Sequence, residues 1–560
     1  MDLVLVGLPG SGKTAVGRRL SRRRGATFVD VDEEIEREAG RPIPSIFAEE
    51  GEAGFRARER RAIEALGPAD PRPGLTRVIA TGGGAPVDPR NRWHLYRGRM
   101  AAWLDGPPEI LAQRVRNSPV PRPLLSGADP VAAMRALAAT RAPFYAPALR
   151  VNGIVGLAGI VETLERHLAD PVLRTLLLRA TTRLGRYELG DGTAGAGIVE
   201  ALEGLEARRA FLVSEPRAWE AAGAAISDAL GAAGIPTELI LLPRGEDAKQ
   251  LGVIEEAARR LANLHAERTD PVVAIGGGAL GDAAGFLAAT WLRGVPLVHV
   301  PTTLVAQLDS SIGGKTAVDL PEGKNLVGAF HQAVANVTDV AFLRTLDPRE
   351  LCAALGEAVK MGTLGDERLL ELLEDDGPAL ASGVSSVFEA GAMAELVERC
   401  AMAKIDVVTA DEREQGGRIS LNLGHSLGHA IETAAAFRGI LHGEAVAYGL
   451  RAALRIGVAM DVTPPDRADR VERLLDRLEL GLAPLPTPAG AVLEAVATDK
   501  KHHAGHLRWV LATAGGWTVR TDVPADVVAA AARGVLAGRP ADASAELSRE
   551  ARAHADGTDA

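Results

Sequence analysis

Eight consecutive residues, Gly7-Leu8-Pro9-Gly10-Ser11-Gly12-Lys13-Thr14, fit the pattern G-x-x-x-x-G-K-[ST]. In such a stretch Gly7, Gly10, Ser11 and Gly12 let successive backbone N–H groups point at phosphate oxygens. Lys13 reaches the outer phosphates, and the Thr14 hydroxyl can ligate Mg²⁺. The pattern predicts a nucleoside triphosphate and leaves the acceptor open. In Asp30-Val31-Asp32 one carboxylate could hold metal-bound water while the other orients an attacking hydroxyl, although a helix cap uses the same residues. Arg56 and Arg141 carry planar forks suited to a small acidic substrate. Gly82-Gly83-Gly84 follows the third strand pattern, and Arg122-Pro123-Leu124-Leu125 falls in an expected lid. Taken singly, each arginine is an ordinary solvated charge.

Further along, Val272-Val273-Ala274-Ile275-Gly276-Gly277-Gly278-Ala279-Leu280-Gly281-Asp282 reads as a buried strand, a glycine turn and a helix. A pyrophosphate could sit on such a turn, but a plain tight turn looks the same, and the spacing departs from G-x-G-x-x-G. A third stretch, Asn422-Leu423-Gly424-His425-Ser426-Leu427-Gly428-His429, puts two imidazoles four apart on one helical face. His442 and Glu357 complete a possible shell for catalytic Zn²⁺, and no H-E-x-x-H is present. Arg293, Lys315, Lys324, Asn325, Lys360, Lys404, Arg418 and Asn422 lie in glycine-rich or apolar surroundings that suit a phosphorylated carboxylate. His502, His503 and His506 form another group, expected as solvated side chains on a loop.

The elements that must carry these residues follow from periodicity. Residues 1–170 alternate short apolar runs with helical patterns, which predicts a P-loop three-layer α/β/α domain. A second α/β run, Rossmann-like and nucleotide-binding, is expected over 175–345. From 346 to 535 apolar residues recur at helical spacing, giving an all-helical metal-binding domain, with a disordered tail over 539–560. The formal charge of −10 with no block of Lys and Arg argues against a nucleic-acid partner. Cys352 and Cys400 are far apart, which suits a reducing compartment, and no apolar run approaches the roughly 18 residues of a membrane span. A cytoplasmic location is expected.

The P-loop, Asp30, Asp32, Arg56, the Gly82–Gly84 triplet, the Arg122 stretch and Arg141 together resemble shikimate kinase over essentially all of residues 1–170. That resemblance implies that Asp32, Arg56, Gly82, Gly83, Gly84 and Arg141 hold shikimate. It also implies that Asp30 and Thr14 position Mg²⁺, that Arg122 closes on the transferring phosphate, and that Arg116 flanks adenine. Residues 175–535 resemble 3-dehydroquinate synthase through Pro301-Thr302-Thr303-Leu304, Leu308-Asp309-Ser310-Ser311, Gly313-Gly314-Lys315-Thr316, Gly323-Lys324-Asn325, the Asn422 to His429 segment and Asp499-Lys500-Lys501. The implied cofactors are NAD and a Zn²⁺ or Co²⁺ held by Glu357, His425 and His442. Glu246, Lys249, Gly277, Gly278, Asp282, Thr302, Thr303, Lys315 and Lys324 would meet NAD. Arg293, Lys315, Asn325, Lys360, Lys404, Arg418, Asn422 and Lys500 would hold the heptulosonate phosphate, with His429 assisting proton movement.

Where that family has an Asp after its early strand, this chain reads Val213-Ser214-Glu215-Pro216. The resemblance also implies a homodimer through the synthase half. Other readings are a gluconate or nucleoside monophosphate kinase for the first part. For the second they are a sugar phosphate cyclase or a glycerol dehydrogenase-like oxidation, and a module that has lost catalysis is a further possibility for either half.

Overall fold

Leu3-Val4-Leu5-Val6 offers water no polar side chain, and in the computed structural model it forms the fully buried centre of a parallel sheet. The structure describes residues 1–117, 129–205, 207–436, 438–497, 502–503 and 506–538. Arg122, Lys500 and the tail over 539–560 lie outside the described residues. The chain divides into two compact units, residues 1–197 with 337–340, and residues 198–336 with 341–560.

In the first unit β1 (Asp2–Val6) lies between β3 (Arg77–Ala80) and β4 (Met100–Asp105). Outside these run β2 (Thr27–Asp30) and β5 (Leu149–Asn152), all parallel, with Leu3 in register with Val78 and Met100. The helices are α1 (Lys13–Arg24), α2 (Val31–Ala39), α3 (Ile43–Glu64), α4 (Pro89–Tyr96), α5 (Pro108–Arg116), α6 (Pro130–Tyr145) and α7 (Gly156–Ala169). Leu3, Leu5, Val16, Leu20, Leu104 and Leu164 share one core. α1 stops at Gly25, whose φ of 67° is left-handed, and Arg22, Arg23 and Arg24 face the negative end of its dipole. An antiparallel hairpin, β6 (Thr175–Thr182) and β7 (Gly185–Asp191), leads to α8 (Ala194–Leu202). The hairpin groups with the first unit, whereas the sequence reading makes it the start of the second domain.

The second unit begins with β8 (Ala210–Ser214), α9 (Pro216–Ala232), β9 (Thr237–Leu241), α10 (Leu251–Asn263), β10 (Val272–Gly276), α11 (Gly278–Thr290) and β11 (Leu297–Pro301). Its strands run parallel in the order β11-β10-β8-β9, and every residue of β10 is buried. β12 (Lys315–Leu320) and β13 (Gly323–Phe330) form an antiparallel hairpin, and the start of β14 (Ala335–Asp339) pairs with β11.

Helices follow: α12 (Pro348–Thr363), α13 (Glu367–Ser382), α14 (Ser385–Glu389), α15 (Ala392–Ala410), α16 (His425–Ala434), α17 (His442–Ala459) and α18 (Pro465–Arg477). Asp347 caps α12 by accepting from Arg349 N, and Pro348 opens it, the residue types that favour a start there. This region is not all helical. Trp509–Ala512 pairs antiparallel with Trp517–Arg520 around Gly515-Gly516, aromatic and β-branched residues outweighing the helical neighbourhood. The backbone of His502 and His503 likewise pairs with His506 and Leu507, so these histidines sit on short paired strands instead of a loop. Among the described residues no helix is long and apolar enough to cross a membrane.

Candidate active sites

In the first unit the P-loop joins β1 to α1. Gly7, Gly10 and Gly12 have φ of 140°, 80° and 92°, a backbone that any Cβ would strain. A Cβ on Gly7 would stand 2.6 Å from Leu104 O, so this position is closed to side chains. The Lys13 ammonium donates to Gly7 O at 2.9 Å and Leu8 O at 3.1 Å and is buried inside the loop. Thr14 Oγ1 donates to Asp30 Oδ2 at 2.7 Å, which brings the two expected Mg²⁺ residues together. Asp30 also caps α2 by accepting from Asp32 N, the helix-cap arrangement that the sequence of this pair allows.

The expected acid-binding groups converge on Gly82–Gly84. A Cβ on Gly82 would stand 2.9 Å from Asp32 Oδ1, one on Gly83 3.3 Å from Arg141 Nη1, and one on Gly84 2.6 Å from Arg56 Nη2. The triplet is therefore glycine because three charged side chains crowd onto its backbone. Two residues absent from the sequence reading belong here. Glu59 is buried and accepts from Arg56 at 2.7 Å; burial drives its carboxyl pKa up against the pull of Arg56. Tyr145 donates to Gly83 O. Arg116 is exposed at the end of α5, while its neighbour Arg114 reaches Gly10 O at 3.4 Å and Gly153 O at 3.0 Å.

In the second unit three helices meet on a few atoms. Glu357 Oε1 on α12 lies 3.4 Å from His425 Nε2 on α16 and 3.2 Å from His442 Nε2 at the start of α17. His429, one turn after His425, joins them: one nitrogen from each of the three histidines lies within 4.8 Å of the others. Glycines beside these residues explain the close approach. A Cβ on Gly443 would stand 1.8 Å from Ala353 O, one on Gly356 2.3 Å from Gly443 O, and one on Gly449 1.8 Å from Gly424 O. The buried carboxylate and His425, with the half-buried His429 and His442 converging on the same point, are a donor set that Zn²⁺ or Co²⁺ takes.

Charges around this point are tightly paired. Burial opposes a charge on His442, yet Glu357 and Glu432 on its two ring nitrogens outweigh that and hold its proton up to about pH 10. Burial likewise works against Glu357, but Lys360 and His442 keep its carboxyl well below the usual range. Asp309, on a π-helical turn at Ala306–Ser310, accepts from Lys404 at 2.8 Å and faces Lys360 at 3.9 Å. For Lys404 burial prevails and its pKa falls. Arg418 is buried and donates to Gly313 O at 2.9 Å. Glu414, held at a left-handed φ of 58°, accepts from both Lys315 and Asn422 at 2.5 Å.

The glycine turn after β10 opens α11, with Gly277 as its cap. A Cβ on Gly278 would stand 2.8 Å from Ser310 Oγ and one on Gly277 3.1 Å from Thr303 Cγ2, so the turn packs closely against the segment Thr303–Ser310 and has no room for larger side chains. Thr302 N donates to Gly276 O at 3.0 Å and fixes the neighbouring strand end. Lys249 meets Asp282 at 2.8 Å and also Asn325, with Asp319 at 3.6 Å, and Lys324 meets Glu246 at 3.0 Å. Arg293 is exposed in a left-handed turn with φ 68°, and no ion pair joins it to these groups among the described residues.

A P-loop, with Arg56 and Arg141 gathered at the glycine triplet, defines a small-molecule kinase domain; a glycine turn and a carboxylate and imidazole centre in the second unit define a nucleotide- and metal-using domain later in the sequence. The shikimate kinase family matches residues 9–152, and the N-terminal and C-terminal parts of 3-dehydroquinate synthase match 239–353 and 354–502. The 3-dehydroquinate synthase of Symbiobacterium thermophilum is 43% identical over 346 residues, 60% of this chain and 94% of that protein. Among solved structures, 2-epi-5-epi-valiolone synthase from Streptomyces hygroscopicus subsp. jinggangensis, with NAD⁺ and Zn²⁺ bound, is 26% identical with a TM-score of 0.58, covering 64% of this chain and 98% of that one. A 2-deoxy-scyllo-inosose synthase complexed with carbaglucose-6-phosphate, NAD⁺ and Co²⁺ gives 26% and 0.57, covering 63% and 97%. The chain belongs to the 3-dehydroquinate synthase family and carries a shikimate kinase domain ahead of it.

Proposed function

We propose that the first unit phosphorylates shikimate with ATP and that the second converts 3-deoxy-D-arabino-heptulosonate 7-phosphate into 3-dehydroquinate and phosphate. The carrying observation is the wall of buried cations, Lys360, Lys404 and Arg418, grouped with the Glu357, His425 and His442 centre. Lys360 and Lys404 share Asp309, whereas Arg418 donates to the backbone carbonyls of Gly313 and Glu412, and a substrate carboxylate would give that guanidinium a charged partner.

In the kinase site Lys13 would meet the outer phosphates, and Thr14 with Asp30 would hold Mg²⁺. Asp32 would orient the attacking hydroxyl, while Arg56 and Arg141 fix the acid. Bound at the second site, NAD would supply a reversible hydride acceptor and the divalent metal would polarise a hydroxyl. Glu357, His425 and His442 would hold that metal, and Gly277, Gly278, Lys249 and Asp282 would line the dinucleotide. Lys360 would secure the hydroxyl under oxidation, Arg418, Asn422 and Lys404 the carboxylate, and His429 would carry a proton.

A homodimer through the second unit is part of this reading. Leu326 and Phe330 are exposed, four apart along β13, and exposed Leu292 lies in the turn whose Gly294 approaches His331, the residue after that strand. A cytoplasmic location is also part of it, in keeping with two free thiols, Cys352 and Cys400.

The test uses the pure chain with the heptulosonate phosphate, NAD and Zn²⁺ or Co²⁺, following free phosphate. A second vessel holds ATP, Mg²⁺ and shikimate, following ADP. Phosphate release without net NADH, and ADP release that depends on shikimate, are expected; release of NADH or an unresponsive kinase would remove the corresponding half.

A further inference from the structure

We propose that Tyr145 is a positioning residue of the kinase site, fixing the glycine triplet and the acid-binding Arg141 against the P-loop. The proposal rests on the shikimate kinase reading and adds a group that makes no contact with the reacting atoms.

Tyr145 and Arg141 lie four residues apart on α6, so they share a helical face, and the positive guanidinium beside the phenol works against the effect of its burial. The hydroxyl donates to Gly83 O, the carbonyl at the centre of the triplet. Gly83 is wedged: a Cβ there would stand 3.0 Å from Pro9 Cδ, 3.3 Å from Arg141 Nη1 and 3.3 Å from Gly7 O. One phenol therefore sets the rotation of the peptide planes that lie between the nucleotide loop and the acid-binding arginine. Burial pushes its pKa up to about 12, so it stays a neutral donor at any working pH. Trp103, with ring centroids 5.7 Å apart, holds the ring in place, and the ring is 1% exposed. Tyr96 provides an internal comparison. It is equally buried and donates to a backbone carbonyl, Phe144 O at 2.9 Å, but that carbonyl is not part of the triplet.

The experiment compares the full chain with Tyr145→Phe and Tyr96→Phe, measuring ADP release over shikimate and ATP concentrations. Wild-type turnover with shikimate checks the underlying reading by itself; an inactive wild type overturns that reading and the proposal with it. In Tyr145→Phe the KM for shikimate is expected to rise roughly fivefold to tenfold, the loss of one buried hydrogen bond, with the KM for ATP within about twofold. Tyr96→Phe should leave both constants unchanged although it lowers the melting temperature by a similar amount. Unaltered shikimate KM in Tyr145→Phe, or the same rise in both variants, overturns the proposal. The rise in melting temperature on adding shikimate gives a second readout that needs no turnover, and it should shrink in Tyr145→Phe alone.

Discussion

Where two charged side chains meet in these sites, each neighbour sets what the other can do. His442 shows this most clearly, with Glu357 on one ring nitrogen and Glu432 on the other, both at 3.2 Å. A carboxylate on the far nitrogen fixes the tautomer and the ring angle of a metal-binding imidazole. Glu432→Gln should therefore weaken Zn²⁺ binding by roughly tenfold to a hundredfold, read by competition with a chromophoric chelator; unchanged affinity would mean that Glu432 does not orient the ring. In the other unit Lys13→Met should lower shikimate-dependent ADP release by roughly a hundredfold or more while leaving phosphate release untouched. The P-loop residues are legible in sequence because the site is a contiguous octapeptide. Glu59, Tyr145, Asp309, Glu414 and Glu432 are not, because each acts on a partner brought near only by folding. Asp309 even stands inside a segment that carries the family resemblance, yet its contacts with Lys360 and Lys404 depend on α12 and α15.

Among the helices, histidines beside glycines are a visible signal whose cause the linear pattern does not carry. Gly356, Gly424, Gly443 and Gly449 are the points where α12, α16 and α17 come within backbone contact. A methyl at Gly443 would have to displace Ala353 O, a backbone atom that no rotamer change can move. Gly443→Ala should accordingly lose most bound metal although every ligand remains, whereas Gly439→Ala, where φ is 80° but no atom stands within 4 Å of an added Cβ, should keep it. Metal content of the purified variants decides this. The parallel strands and long helices were readable because their apolar runs are continuous. The β12–β13 hairpin was not, since its second strand is half-exposed and rich in polar residues and glycine. The ribbon at Trp509–Arg520 was hidden by a helical neighbourhood on both sides.

Across the whole molecule, titration touches stability at a site away from catalysis. His299 is buried on β11, and burial lowers its pKa from the ordinary 6.5 to about 4. Between those values the unfolded chain binds a proton that the folded one refuses, so the second unit should lose stability as pH falls through that window, by a few kcal/mol at most. A His299→Gln variant should show a flatter slope between pH 6.5 and 4 in urea unfolding; an identical slope would exclude His299 as the source.

The three helices that supply Glu357, His425 and His442 belong to one unit and are joined at that point by side chains. An ion seated there would act as a removable rivet, binding the folded arrangement and not the unfolded chain. Heating should then reveal two separate losses of structure. Withdrawing the ion with a chelator should bring only the second unit's melting forward, leaving the phosphotransfer half as heat-resistant as before. The cohesion of one half of this chain would thus follow the supply of free metal while the other half ignores it.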